Sequence, residues 1–143
     1  MIIVDLNVLI YAVNESSPRH ETVTPWWNEA MSSDEPVGLP WIVLNGFLRL
    51  TTRSGILPRP LSLETALRMV ETWLACDHIV QPREADDHWP IVRRLLLGAG
   101  TGGNLVTDAY LAALAIGNGA TLVTCDRDFA RFPGLSWITP PET

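Results

Sequence analysis

The chain reads as an α/β sandwich with a mainly parallel sheet, and three features of its sequence predict this. Ile2-Ile3-Val4 is an unbroken β-branched run too short for a helix, which suits a parallel strand buried on both faces. Thr121-Leu122-Val123-Thr124, near the other end, is another strand of the buried type. Between them short apolar runs alternate with segments of helical period, the order that builds a parallel sheet flanked by helices. No linker or internal repeat divides the 143 residues, so residues 1–143 are expected to form a single domain with its own core.

The elements follow in order. Asn7 to Val13 is expected as a short helix and Asn14 to Pro18 as a turn. Thr22 to Met31 places Val23, Trp26, Trp27 and Ala30 at spacings of three and four, an amphipathic helix. Val37-Gly38-Leu39 is a short strand, and Pro40 fits the start of a helix through Leu50 that is apolar nearly all round and so expected to be covered. Ser62 has the spacing of an N-cap for a helix whose stripe is Leu63, Leu67, Val70 and Leu74. Ile79-Val80 is a third strand, and Asp86 or Asp87 caps a helix through Leu97. The glycine-rich stretch Gly98 to Gly103 lacks the preceding strand and following lysine of a phosphate loop and reads as a connector. Leu105 to Ile116 is an alanine-rich helix closed by Gly117-Asn118-Gly119. Phe129 to Phe132 makes a turn, Ser136-Trp137-Ile138 supplies an edge strand, and Thr139 to Thr143 forms a tail.

Composition narrows the class. At 47% hydrophobic and 18% charged residues the chain is globular rather than disordered. No apolar run reaches the roughly 18 residues of a membrane span, so a cytoplasmic protein without membrane contact is expected. Cys76 and Cys125 lack metal-type spacing and read as two buried thiols. The 10 basic residues, all arginine, face 16 acidic ones, a net charge of −6 that by itself argues against nucleic acid. That argument weakens if acids hold divalent cations, because the metal then carries the local positive charge.

Asp5 ends the first strand and Asp126 follows the late one, so both point to the sheet edge where open α/β sheets bind ligands. Asp128 lies two residues further on. Asp108, near the start of the Leu105–Ile116 helix, gains from the helix dipole as a simple cap would, and its place at the top or bottom of the sheet stays open. Carboxylates gathered on one edge raise each other's pKa unless a cation binds, and oxygen-only ligation suits Mg²⁺ or Mn²⁺. Such a site fits hydrolysis of a phosphodiester.

Three stretches carry a resemblance: Asp5 to Ala12, Thr107-Asp108-Ala109 opening a helix, and Thr124 to Phe129. In this order and separation they resemble PIN-domain ribonucleases, above all the VapC toxins of bacterial type II toxin–antitoxin systems. The resemblance implies a PIN-like fold, a central mainly parallel sheet flanked by helices. It also implies Asp5 and Asp108 as principal metal ligands, with Asp126 and Asp128 completing the pocket. The activity implied is Mg²⁺- or Mn²⁺-dependent endonucleolytic cleavage of structured RNA of the tRNA or rRNA class. A homodimer and a cognate VapB-type antitoxin are the implied partners.

One position departs from the family pattern. The helix after the second strand usually carries an acid after asparagine, and here it reads Asn45-Gly46-Phe47. Close packing, a subgroup with fewer ligands, and a catalytically silent PIN-like module acting through binding each explain a glycine; the subgroup is preferred, with Asp126 and Asp128 supplying the missing carboxylate. A haloacid-type phosphatase would need aspartate where Asn7 stands, and a receiver domain would need a lysine, which the chain lacks. His20, His78 and His88 are assigned to no metal, and His20 reads as a surface residue. Arg49 and Arg53 could face phosphates or simply form ion pairs, and Arg127 could neutralise its two acidic neighbours.

Overall fold

In the computed structural model residues 1–141 are described; Glu142 and Thr143, the end of the expected tail, lie outside the described residues. Strands β1 (Ile2–Val4), β2 (Val37–Gly38), β3 (Ile79–Val80), β4 (Thr121–Val123) and β5 (Trp137–Ile138) form one sheet in the order β3-β2-β1-β4-β5. Every pairing is parallel. The β-branched run therefore occupies the centre, where Ile3 and Val4 are wholly buried.

Six helices flank the sheet: α1 (Leu6–Val13), α2 (His20–Ser32), α3 (Trp41–Thr52), α4 (Leu63–Leu74), α5 (His88–Ala99) and α6 (Leu105–Gly117). The expected boundaries hold to within a turn. Ser62 caps α4 by accepting from Thr65 N at 3.1 Å. Asp87 precedes α5 but its side chain makes no capping bond. Trp73 ties three helices together, with Trp27 and Phe47 ring centroids at 5.5 and 4.9 Å in edge-on geometry. Both tryptophans of α2 thus belong to the core.

Three expectations need correction. The buried face of α4 is Ala66, Val70 and Trp73, while Leu63 and Leu67 are 62% and 41% exposed. Helix α3 is not covered throughout, since its first residue, Trp41, is 58% exposed. Cys125 is buried as expected, but Cys76 is only half-buried; both are free.

The place of Asp108 follows from the last crossover. Helix α6 turns into β4 through Asn118 and Gly119, whose φ of +61° glycine adopts without strain. A turn this short puts the C-terminal end of α6 where β4 begins. Its N-terminal turn, with Asp108, therefore lies at the opposite rim, where the strands end.

Candidate active site

Asp5 leaves β1 and caps α1, a position that fixes its carboxylate. Its backbone N–H donates to Val123 O at 2.9 Å, locking the ends of β1 and β4 together. Oδ1 accepts from Leu6 N at 2.7 Å. Oδ2 accepts from Asn7 Nδ2 at 2.9 Å and from Thr124 Oγ1 at 2.7 Å. A carboxylate offers about four acceptor positions, so three donors leave it capacity for one outside group.

Asn7 and Thr124 are the second layer. Asn7 Oδ1 accepts from Cys125 N at 3.0 Å, and Thr124 Oγ1 accepts from Asp126 N at 3.0 Å. The two strand ends are thereby stitched by side chains as well as by backbone. Asp126 in turn caps the 3₁₀ turn Arg127–Arg131, its Oδ1 accepting from Asp128 N at 2.8 Å.

Asp5, Asp108 and Asp126 line one cleft of about 450 Å³, together with Leu6, Asn7 and Tyr11. Asp128 is exposed on the 3₁₀ turn and stands at the rim, outside that lining. Burial, then the charges of Asp5 and Asp126, push Asp108 up to about 6, with Asp128 adding to the rise and Arg131 opposing it. Asp5 is also raised, by burial first, against the pull of its hydrogen bonds from Thr124 and Leu6; Asp126 pushes it further. Negative charge in this cleft is under-compensated.

Among the described residues no three acidic, histidine or cysteine side chains are gathered closely enough to enclose a metal ion. Asp5, Asp108 and Asp126 instead share the lining of one open cleft. That arrangement fits magnesium, which keeps several of its waters and takes one or two carboxylates plus substrate phosphate rather than a closed protein cage.

Two arginines that sequence reasoning missed stand around the site, one beside an acid and one beside Tyr11 and Cys125. Arg131, on the 3₁₀ turn, is the cation that acts on Asp108. Arg19, exposed at the start of α2, lies 5.8 Å over the Tyr11 ring and its charge acts on Cys125. Their sequence neighbourhoods give only faint signals, Arg131 through its nearness to Asp126 and Asp128. His20 is half-buried, not a free surface residue, its Nδ1 2.9 Å from Tyr11 O.

Gly46 is buried in α3 and closes on α1. A Cβ there would lie 2.6 Å from Leu6 Cδ2, the tip of a flexible side chain, so any side chain at this position has to displace that methyl.

A parallel α/β sheet with an acidic cleft beyond its strand ends defines the class as an α/β protein built to bind at its carboxyl edge. The PIN domain profile matches residues 2–135. Ribonuclease VapC37 of Mycobacterium tuberculosis is 45% identical over 141 residues, 99% of this chain and 98% of that protein. The chain belongs to the PIN-domain family, among its VapC ribonucleases. The fold is shared with VapC in the DNA-bound VapBC2 complex of Rickettsia felis, at TM-score 0.70 and 22% identity over 98% of this chain and 99% of that one. It is shared also with VapC20 of M. tuberculosis, described as a sarcin-ricin loop cleaving toxin, at TM-score 0.67 and 19% identity over 91% and 93%.

Proposed function

We propose that residues 1–143 act as one PIN domain, the toxin of a type II toxin–antitoxin pair, and that its reaction is Mg²⁺- or Mn²⁺-dependent endonucleolytic hydrolysis of structured RNA. The observation that carries this reading is the shared cleft of Asp5, Asp108 and Asp126, where burial and mutual repulsion raise Asp108 to about 6. A divalent cation bound there supplies positive charge for the phosphate and a water of lowered pKa. Asp5 and Asp108 would hold it, with Asp126 alongside and Asp128 as the outer acid.

The chain's own groups supply the rest. Thr124 and Asn7 keep Asp5 in one orientation, so its remaining acceptor capacity costs no reordering when the cleft fills. Arg19 and Arg131 offer guanidinium groups to the flanking phosphates, which the net charge of −6 otherwise repels. In the reaction a water oxygen bonds to phosphorus, the bond to one ribose oxygen breaks, and that oxygen leaves with a proton.

The silent-module alternative rests on Gly46, where the Leu6 side chain fills the space an acid would need; cation-dependent cleavage separates the two readings. By likeness to the Rickettsia felis complex, the partner is a VapB-type antitoxin. A homodimer would cover apolar surface such as Trp89 and Leu97 of α5, 67% and 64% exposed. No helix among the described residues is long and apolar enough to cross a membrane, in keeping with action on RNA in the cytoplasm.

The test is digestion of total RNA by the purified chain with Mg²⁺ or Mn²⁺ against an EDTA control. Cleavage that needs the cation and is lost in Asp5→Asn supports the assignment. Cation-dependent cleavage unchanged in Asp5→Asn removes it.

A further inference from the structure

A second cleft of about 560 Å³ lies along the same rim of the sheet, lined by residues that follow β2 and β3 and by Tyr110 of α6. Resting on the ribonuclease reading above, we propose that this cleft is a base-binding subsite, in which an unstacked RNA base lies against Trp41 and is read by the amide of Gln81.

The strongest observation is Gln81. Its Oε1 and Nε2 are both sealed from solvent and neither meets a hydrogen-bond partner, although the residue lines the cleft, so the amide must turn outward to meet a base there. Leaving a donor and an acceptor buried and unmet is costly, and native proteins do so rarely. An amide is also the side chain whose adjacent donor and acceptor match a base edge two bonds at a time. A purely apolar partner would leave both atoms unmet.

Trp41 supplies the platform. It is 58% exposed, as Trp89 of α5 is at 67%, whereas Trp26, Trp27 and Trp73 are buried; of the two exposed rings only Trp41 lines this cleft, opening α3 directly after Pro40. Stacking on an exposed aromatic ring is the usual way a protein holds a single-stranded base. Arg83, exposed on the same cleft, makes no ion pair among the described residues and suits the adjoining phosphate. Glu84, the one acid in the lining, is engaged elsewhere: Tyr110 donates its hydroxyl to Glu84 Oε1 at 2.5 Å.

The location suits a nucleotide flanking the one being cut. Strands β3, β2 and β1 are neighbours, and two strand spacings amount to about 10 Å. Asp108 and Tyr110, two residues apart on α6, line the first and second clefts respectively.

The experiment measures binding of labelled short homopolymeric RNAs of the four bases to the full chain in EDTA, by fluorescence anisotropy, and in parallel Mn²⁺-dependent cleavage of total RNA. Trp41→Ala is expected to weaken the best-bound RNA about tenfold, with Trp41→Phe restoring most of it. Gln81→Met keeps the side-chain length, removes the unmet polar atoms, and is expected to melt no lower than the parent. It should shrink the ratio between best- and worst-bound RNA about tenfold. Parent-like affinity and selectivity in both Trp41→Ala and Gln81→Met overturn the subsite, and parental cleavage in the same preparations leaves the nuclease reading standing. The expected binding changes in a chain that cleaves no RNA support the subsite and sink the nuclease reading instead.

Discussion

Thr124 Oγ1 donates to Asp5 Oδ2 at 2.7 Å across 119 positions of chain, and the same oxygen accepts from Asp126 N at 3.0 Å. One buried hydroxyl thus orients one acid and positions the backbone of another. Thr124→Val keeps the shape and removes both bonds, along with the one this oxygen accepts from Asn7 Nδ2 at 3.2 Å. Metal-dependent cleavage should fall about 10- to 100-fold, as losses around metal ligands do. Stability should drop by about 1–3 kcal/mol because Asp126 N loses its acceptor. Thr124→Ser should recover most of both, and kinetics with thermal melts of the three proteins check it. A valine variant with parental cleavage would show that the hydroxyl only packs.

Asp5→Asn and Asp108→Asn should behave differently from each other despite sharing the cleft. Each should lower cation-dependent cleavage by more than about 100-fold, several kcal/mol of lost charge stabilisation. Asparagine still caps a helix, so Asp5→Asn should fold. Asp108→Asn removes the acid that burial, Asp5 and Asp126 hold at about 6, so in EDTA at pH 7 its melting temperature should rise above the parent's. A fall would mean that Asp108 is satisfied as an anion.

Much of this arrangement was legible in the chain. Asp5 and Asp126 each follow a short buried strand, and a strand dictates which rim the residues after it reach. The buried face of α4 was not legible, because Leu63 and Leu67 outweigh Ala66 in hydrophobicity while Ala66, Val70 and Trp73 fit helical spacing equally well. Asp108 was ambiguous for a different reason: its rim depends on how the loop before α6 returns. Arg131 reaches Asp108, and Arg19 reaches Tyr11 and Cys125, only through the paths of connecting segments, which residue patterns do not encode. Gln81 could be noticed only once its missing partners were visible.

Stability should depend on pH with a sign set by Asp108. Its pKa is about 6 in the folded protein against an ordinary 3.8. Below about pH 4 the group is protonated folded or unfolded. From about pH 4 to 6 the unfolded chain ionises first, so the folded state loses ground as pH rises, and above about pH 6 this contribution is level. Asp5 is shifted the same way and adds to the decline. Thermal melts in EDTA across this range should fall with rising pH by less in Asp108→Asn than in the parent. Mg²⁺ or Mn²⁺ should raise the melting temperature more at pH 7 than at pH 5, where protons compete for the acids. Equal stabilisation at both values would place the cation elsewhere.

Gly46 and Leu6 should be energetically coupled. In isolation a helix gains up to about 1 kcal/mol when glycine becomes alanine. Here the new Cβ would meet Leu6 Cδ2 at 2.6 Å, and Leu6 lines the cleft beside Asp5. Overpacking of this kind costs about 1–3 kcal/mol, so Gly46→Ala should be destabilising despite the better propensity. Moving Leu6 aside also crowds the acids, so cleavage should fall with it. In a Leu6→Ala background the obstacle is gone, and the same glycine substitution should become neutral or stabilising by up to about 1 kcal/mol. The coupling from a double-mutant cycle should therefore exceed about 0.5 kcal/mol, the level seen only for residues in contact. Additive effects would mean that Leu6 yields freely, and that the absence of an acid at position 46 has another cause.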